Sequence, residues 1–167
     1  FRQLAEGGWQ GLRVPEAFGG MGLDAMIASG VSEIFSGANH SLQMVTNLVP
    51  GAVEVLIHFG SDDQQARFIP ALAAGDLLAT MALTEPGAGS DLSAIRTRAV
   101  PDNDGWRIEG EKIFISGGDQ DMSDGILHLV LARSGAPDSG TRGLSLFLCP
   151  SDIDGARNAV SVTRIEE

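Results

Sequence analysis

The stretch GDLLATMALTEPGAGSDL, residues 75–92, contains the clearest change of pattern in the chain. Before Gly75, apolar residues recur every three or four positions, as in helices, whereas after it the period falls to two, as in strands. Residues 77–84 therefore predict a buried strand, and the PGAG corner that follows interrupts regular structure. The pattern predicts an α+β protein in which a helical region precedes a sheet.

Two helices are predicted before Gly60. Asp24 is placed to cap the first, whose apolar positions fall on one face. The second covers about residues 41–59, and we expect the Pro50-Gly51 pair to kink or split it. Gly60 itself suits the C-terminal cap of this second helix.

A third helix is predicted to begin at the sequence SDDQ, residues 61–64. These four residues have the spacing of a capping box, and the two aspartates lie at the positive end of the helix. Pro70 is expected to cut this helix short, because a proline inside a helix removes a hydrogen bond. Gly75 is expected to end the helical region.

The segments after Gly75 are short and separated by turn sequences such as PDNDG and GAPDSG. This arrangement predicts a small antiparallel β-barrel, with a sandwich as the alternative. The chain lacks the strand–helix alternation that a Rossmann sheet requires. We predict a helical part over residues 1–79 and a β-barrel part over residues 80–167.

The composition limits the classes of partner. The net charge of −11 disfavours nucleic acid and anionic membranes, because no summed positive field attracts phosphates. The single cysteine, Cys149, excludes an internal disulfide, and its apolar surroundings predict a buried structural thiol. No run looks long and apolar enough to cross a membrane. The chain begins at Phe1 without an initiator Met and shows no signal peptide.

Other candidate sites are weaker. The three histidines lack metal-ligand spacing, so no metal site is predicted. Asp119, Asp121 and Asp124 lack the distal bidentate glutamate of a calcium loop and predict a solvated acidic loop. Met44 and Leu48 suit a helix core better than the wall of an acyl tunnel.

Two interpretations of the PGAG corner stay open. Because glycine has no Cβ, the backbone there can approach a ligand, and successive N–H groups can bind a phosphate. The plainer alternative is a turn between two strands. No helix follows the corner, so it differs from a dinucleotide-binding fingerprint.

A second motif, EKIFISGG, covers residues 111–118. In an extended strand Phe114 and Ser116 point to one side, while Ile113 and Ile115 point to the other. We expect the isoleucines to enter the barrel core, which leaves an aromatic ring beside a hydroxyl for a flat heterocycle with a polar edge. A strand with one outward Phe is the alternative.

The segments MALTEPGAGSD and GEKIFISGG resemble the signature of the acyl-CoA dehydrogenase family, T-E-P-x-A-G-S-D followed by G-x-K-x-[WF]-I-[ST]. GLRVPEAFGGMGL and GSDDQQARFIPALAAGDLLA are similar to the helical domain of that family. FISGGDQDMSDGILHLVLAR is similar to its long bacterial subgroup, which includes 3-methylmercaptopropionyl-CoA dehydrogenases. The resemblance extends over nearly the whole chain. It implies that the barrel is a middle domain, truncated here, and that a C-terminal helical bundle is absent.

In this family the two segments hold FAD, and the resemblance carries that role over to matching positions. The residues implied to bind FAD are Met81, Leu83, Thr84, Gly89, Ser90, Phe114, Ile115 and Ser116. Ser90 is also implied to lie near the acyl-CoA substrate. The family often has Trp and Thr where this chain has Phe114 and Ser116, so an apolar ring and a hydroxyl are retained.

The resemblance implies a flavoprotein oxidoreductase of fatty acid β-oxidation that dehydrogenates an acyl-CoA thioester between its α and β carbons. A carboxylate takes the α-proton, and the β-hydrogen leaves as hydride to the flavin. No catalytic residue is assigned, because the base is expected beyond Glu167 and Glu85 is expected to be structural.

The same resemblance implies an electron-transfer flavoprotein as electron acceptor and a homo-oligomer for the full-length protein. The expected location is the cytoplasm, or the mitochondrial matrix in a eukaryote. Two other functions stay open: a flavin-dependent oxidase or monooxygenase on the same fold, and an inactive, truncated binding module.

Overall fold

The computed structural model describes residues 1–165, and its first half is helical. The helices are α1 (Arg2–Glu6), α2 (Ala25–Ala38), α3 (His40–Thr46), α4 (Leu48–Phe59) and α5 (Asp62–Ala74). The predicted cap at Asp24 is confirmed, because its Oδ1 accepts the N–H groups of Met26 and Ile27 at 2.8 and 3.0 Å. The helix that it caps, α2, has no buried residue.

The predicted split near Pro50 is confirmed, but it occurs at Asn47, between α3 and α4. Pro50 lies in the first turn of α4, where helix N–H groups have no intrahelical partner and a proline removes nothing. Gly60 caps α4 as predicted, and its N–H donates to Leu56 O at 2.9 Å.

The expectation that Pro70 shortens the third helix is wrong, because α5 runs through Pro70 to Ala74. Pro70 lies on the exposed face, while its neighbours Ile69 and Leu72 are fully buried. Burial of these two side chains outweighs the backbone hydrogen bond that Pro70 cannot donate.

Both ends of α5 follow the predicted local chemistry. Ser61 and Gln64 form the capping box: the Ser61 N–H donates to Gln64 Oε1 at 2.9 Å, and the Gln64 N–H donates to Ser61 Oγ at 3.3 Å. Gly75 ends the helix in the left-handed conformation, with φ of 85°. A Cβ at this position would lie 2.7 Å from the Cβ of Ala5, so glycine is required by both conformation and packing.

The second half of the chain forms strands. They are β1 (Leu77–Ala82), β2 (Arg98–Asp102), β3 (Gly105–Glu109), β4 (Gly125–Arg133), β5 (Leu144–Pro150), β6 (Asp152–Ile153) and β7 (Ala156–Arg157). β4 is central, with β1 parallel along one edge and β5 antiparallel along the other. The β2–β3 hairpin joins β4 in parallel at Arg133, and β6–β7 form a separate hairpin.

The sheet differs from the predicted antiparallel barrel in two ways. It is mixed, because β1 and β4 are parallel neighbours, and over residues 1–165 it does not close. Alternation of apolar residues along one strand identifies its two faces but contains no information on which strand pairs with which. The prediction that all strands are antiparallel is therefore wrong for β1 and β4. The α+β class itself is confirmed.

The core lies between helices α4 and α5 and strands β1 and β4. Its largest fully buried residues include Leu56, Ile69, Leu72, Leu78, Leu127 and Leu129. The division between residues 79 and 80 stays a prediction, because β1 packs on these helices and also pairs with β4.

One helical stretch within residues 1–165, His40–Phe59, is long and apolar enough to cross a membrane by length and composition alone, contrary to the sequence-based expectation. The core helix of a globular domain passes the same test, and α4 within this stretch places Val49, Ala52, Val53 and Leu56 in the core.

Candidate functional site

The corner after β1 is a tight turn. The Glu85 N–H donates to Ala88 O at 2.9 Å, and the Ala88 N–H donates to Glu85 O at 3.1 Å. Neither Gly87 nor Gly89 has a positive φ, and a Cβ at either position would meet nothing within 4 Å. The fold therefore does not require glycine at these two positions, and their absent side chains leave open backbone that a ligand can approach.

The second motif is not a strand, so the expectation that Phe114 and Ser116 share one side of a strand is wrong. Regular pairing ends at Glu109, and Phe114 has φ of 60°. Gly110 packs so closely on Thr97 that a Cβ there would lie 2.3 Å from Thr97 Oγ1. Ile113 and Ile115 are both half-buried and line the cleft described below, so their expected entry into a barrel core is not confirmed.

The two motif segments nevertheless meet. The Ile113 N–H donates to Thr84 O at 3.0 Å, and Lys112 Nζ donates to Leu83 O at 2.9 Å. Lys112 Nζ also lies 2.8 Å from Glu85 Oε1. Thus the segment that follows β1 and the start of the second motif are joined by three contacts, over a sequence separation of 27 to 29 residues.

Glu85 is a buried anion with a complete set of partners. It is 7% exposed, and its carboxylate also accepts the N–H groups of Arg96 and Thr97 at 2.8 and 3.0 Å. Burial alone would raise the pKa of Glu85, but the bonds from Lys112, Thr97 and Arg96 outweigh it and lower the pKa to about 2. A carboxylate so engaged is a poor general base near neutral pH.

Thr97 was not identified from the sequence. Its hydroxyl is buried and close enough to the Glu85 carboxylate to help lower that pKa. Its Oγ1 has no hydrogen bond of good geometry within residues 1–165. A single buried threonine has no sequence signal that separates it from an ordinary core residue.

The predicted residues fall into separate groups around the two segments. Phe114, Ile115 and Ser116 line a cleft of about 2480 Å³ beside β4 and β5, whereas the other five predicted residues lie outside its lining. Met81 packs partly buried against the helix–sheet core. Gly117, next to Ser116, packs against Val45 of α3, which borders the same core.

The polar and aromatic groups of the site are available to a ligand. The hydroxyls of Thr84, Ser90 and Ser116 make no hydrogen bond to any of residues 1–165, and Phe114 is 72% exposed. Gly89 adds an open stretch of backbone. This combination of an apolar ring, unpaired hydroxyls and uncovered N–H groups fits a large ligand with a flat heterocycle and phosphates, as FAD has.

A second polar group lies in the sheet and was also missed. Thr80, His128 and Cys149 are register partners on β1, β4 and β5. Burial raises the pKa of the Cys149 thiol, and the bond from Asn158 only partly opposes this. The thiol is half-buried and not fully buried as predicted, and its structural role stays a prediction.

Comparison with known proteins gives consistent matches. Residues 1–76 match the acyl-CoA dehydrogenase N-terminal domain, and residues 80–167 match the acyl-CoA dehydrogenase middle domain. A 3-methylmercaptopropionyl-CoA dehydrogenase from Ruegeria pomeroyi is 44% identical over 156 residues, which cover 93% of this chain and 26% of that protein.

Solved structures agree on the fold. An acyl-CoA dehydrogenase from Geobacillus kaustophilus superposes with a TM-score of 0.81 at 30% identity, covering 92% of this chain and 40% of that one. A structure of PigA with FAD and proline gives 0.77 at 29% identity, with the same coverage of 92% and 40%. The chain spans only 26% and 28% of the length of two of the curated relatives that it matches.

Proposed function

Since this chain belongs to the acyl-CoA dehydrogenase family, we propose that it carries the flavin-binding part of an FAD-dependent acyl-CoA dehydrogenase. The contacts between the two motif segments, Lys112 with Leu83 and Ile113 with Thr84, are the observation that carries the proposal. They bring together stretches that lie far apart in the sequence, at the position where unpaired hydroxyls and an exposed aromatic ring are found.

Each residue has a distinct part in this proposal. The Thr84 and Ser116 hydroxyls hydrogen-bond the polar rim of the flavin, and Phe114 covers its apolar surface. Met81, Leu83 and Ile115 supply the apolar surroundings. The uncovered backbone at Gly89 and Ser90 binds the pyrophosphate. Bound FAD supplies the acceptor for the two electrons and the hydrogen that leave the substrate.

The proposed substrate is an acyl-CoA thioester, with Ser90 beside it. The Glu85 carboxylate is already held by Lys112 and two N–H groups, so it is not proposed as the base. As the family resemblance implies, the base that removes the α-proton is proposed to be a glutamate beyond Glu167. An electron-transfer flavoprotein as acceptor, a homo-oligomeric state and a cytoplasmic or mitochondrial-matrix location belong to the same proposal.

The test uses the complete gene product, loaded with FAD and kept free of oxygen. Linear acyl-CoA thioesters of increasing length and 3-methylmercaptopropionyl-CoA are added in turn, and loss of the flavin absorbance is followed. At least one thioester is expected to bleach the flavin. Residues 1–167 produced alone are expected to bleach with none, because the base is not among them.

Three results would count against the proposal. Bleaching by residues 1–167 alone would mean that a base lies within this chain. An FAD-loaded gene product that ignores every thioester but consumes oxygen with other substrates would favour the oxidase or monooxygenase alternative. A folded gene product that does not retain FAD would favour a binding module.

A further inference from the structure

The Glu85 carboxylate closes the neck of a loop. Its Oε2 accepts the Arg96 N–H at 2.8 Å and its Oε1 accepts the Thr97 N–H at 3.0 Å, eleven and twelve residues further along the chain. The loop between these points contains Gly89 and Ser90, the two residues proposed to meet the pyrophosphate. A side chain thus performs the closure that a strand pair performs at the base of a hairpin.

The same carboxylate holds the second motif. Lys112 Nζ lies 2.8 Å from Glu85 Oε1 and donates to Leu83 O at 2.9 Å, and the two side chains are only 10% and 6% exposed. Because one carboxylate bonds both the loop neck and Lys112, the position of the loop and the position of the second motif depend on the same group. Burial from water makes this ion pair far less sensitive to screening than a surface pair.

The far side of the loop has its own anchor. The buried guanidinium of Arg133 donates from Nη2 to Ser93 O at 2.8 Å and from Nε to Ile95 O at 3.3 Å. Residues 86–92 therefore lie between two anchored points. One is Glu85, and the other is the segment of residues 93–95, whose carbonyl groups accept hydrogen bonds from Arg133. Loss of Glu85 would release the side of the loop that contains the glycines, while Arg133 would still hold the other side.

We propose that Glu85 is a positioning residue: by closing the loop neck and pairing with Lys112, it fixes the glycine-rich corner against the second motif, so that the FAD-binding surface is formed before FAD arrives. This inference rests on the proposed function. A surface that is already formed avoids the loss in apparent affinity that follows when the binding-competent state is only partly populated.

The test compares the complete gene product, freed of FAD, with its Glu85→Gln variant. Two quantities are measured: hydrogen exchange of the Ala88 amide, which donates to Glu85 O, and the FAD dissociation constant from flavin fluorescence. Ala88 is expected to exchange faster in the variant. The FAD dissociation constant is expected to rise by about tenfold, in step with the smaller population of the closed loop.

Further variants separate positioning from general stability. Lys112→Met is expected to behave like Glu85→Gln, while Lys112→Arg, which keeps the charge and the donors, is expected to retain FAD affinity near that of the wild type. The double variant Glu85→Gln/Lys112→Met leaves no unpaired buried charge and serves if either single variant fails to fold. Glu54→Gln is the control, because it removes an ion pair with Arg13 in which both side chains are about 40% exposed.

The outcomes distinguish the two proposals. If the folded double variant keeps both its Ala88 exchange rate and its FAD affinity, the positioning role is overturned even though the wild type binds FAD. If the wild type does not bind FAD at all, the proposed function fails, and an unchanged Ala88 exchange rate in Glu85→Gln would overturn the positioning role separately.

Discussion

Thr80 Oγ1 lies 2.7 Å from His128 Nδ1, across the parallel pairing of β1 and β4, and both residues are buried. Burial lowers the pKa of His128 below its usual value, and the negative charge of Asp119 opposes this only in part. The folded protein therefore holds a neutral imidazole in contact with a hydroxyl, and protonation favours the unfolded chain.

This arrangement predicts a pH dependence of stability. Because the folded-state pKa of His128 is depressed, its contribution is present above about pH 6.5 and is lost as pH falls through the folded-state value. Between about pH 7.5 and pH 5, the wild type should lose more unfolding free energy than His128→Gln. Urea unfolding at several pH values measures this, with His58→Gln, at an exposed site, as control. Equal slopes for wild type and His128→Gln would contradict it.

Gly89→Ala tests whether the corner is shaped for a ligand. A Cβ meets no protein atom within 4 Å at Gly89 or at Gly87, so both substitutions to alanine should change the free energy of unfolding by less than about 1 kcal/mol. Gly89→Ala should nevertheless weaken FAD binding by about tenfold, the factor for one lost hydrogen bond of about 1.4 kcal/mol. Fluorescence titration measures this, with Gly87→Ala as the matched control. An unchanged FAD affinity in Gly89→Ala would remove Gly89 from the site.

Phe114 should show a conflict between stability and binding. Its φ of 60° is unfavourable for a bulky residue, and its ring is 72% exposed. Phe114→Asn should leave the unfolding free energy unchanged or raise it by about 1 kcal/mol, because asparagine tolerates this conformation. FAD retention should fall at the same time. Thermal melts with and without FAD measure both effects, and a variant less stable without FAD would show that the ring is structural.

The junction between helices and sheet should carry most of the stability. Leu127 on β4 is fully buried within the core, whereas Leu146 on β5 is 37% exposed. Leu127→Ala should lower the free energy of unfolding by about 2–5 kcal/mol, and Leu146→Ala by about 1 kcal/mol or less. Chemical denaturation measures both, and similar losses at the two positions would mean that the core extends over the cleft side of the sheet.

Local chemistry explains which features could be predicted from the sequence. The caps at Asp24 and Ser61 and the stop at Gly75 depend on residues within one turn of the helix end, so they are visible in the sequence. The prediction that the helix ends at Pro70 is wrong because the helix is stabilised by burial of Ile69 and Leu72 in the core. This burial is a tertiary contact that the local sequence does not reveal. The parallel order of β1 and β4 is likewise a choice of partner that alternation within a strand does not encode.

For the candidate site too, some features could be predicted from the sequence and others could not. The adjacency of Leu83 and Thr84 to the second motif was implied by family resemblance, and the hydrogen bonds from Lys112 and Ile113 show that the segments are neighbours. The roles of the eight individual residues in binding FAD stay predictions. The prediction for Phe114 assumed an extended strand, but β3 ends at Glu109 and Phe114 has φ of 60°, so alternation of side chains does not apply there.

The parallel pairing of β1 with β4 also sets the order in which the chain can fold. The β2–β3 hairpin joins residues a few positions apart and closes through Asn103 and Asp104, so it can form within microseconds. The pairing of Leu77–Ala82 with β4 must first close a long stretch of chain that contains this hairpin, and the entropy of that closure has to be overcome before any contact compensates for it. The hairpin is therefore an early, local event, and the sheet that supports the Glu85 corner is a late one. During synthesis, β1 must wait for β4 to emerge, with its apolar residues held in the meantime only by the helices that precede it.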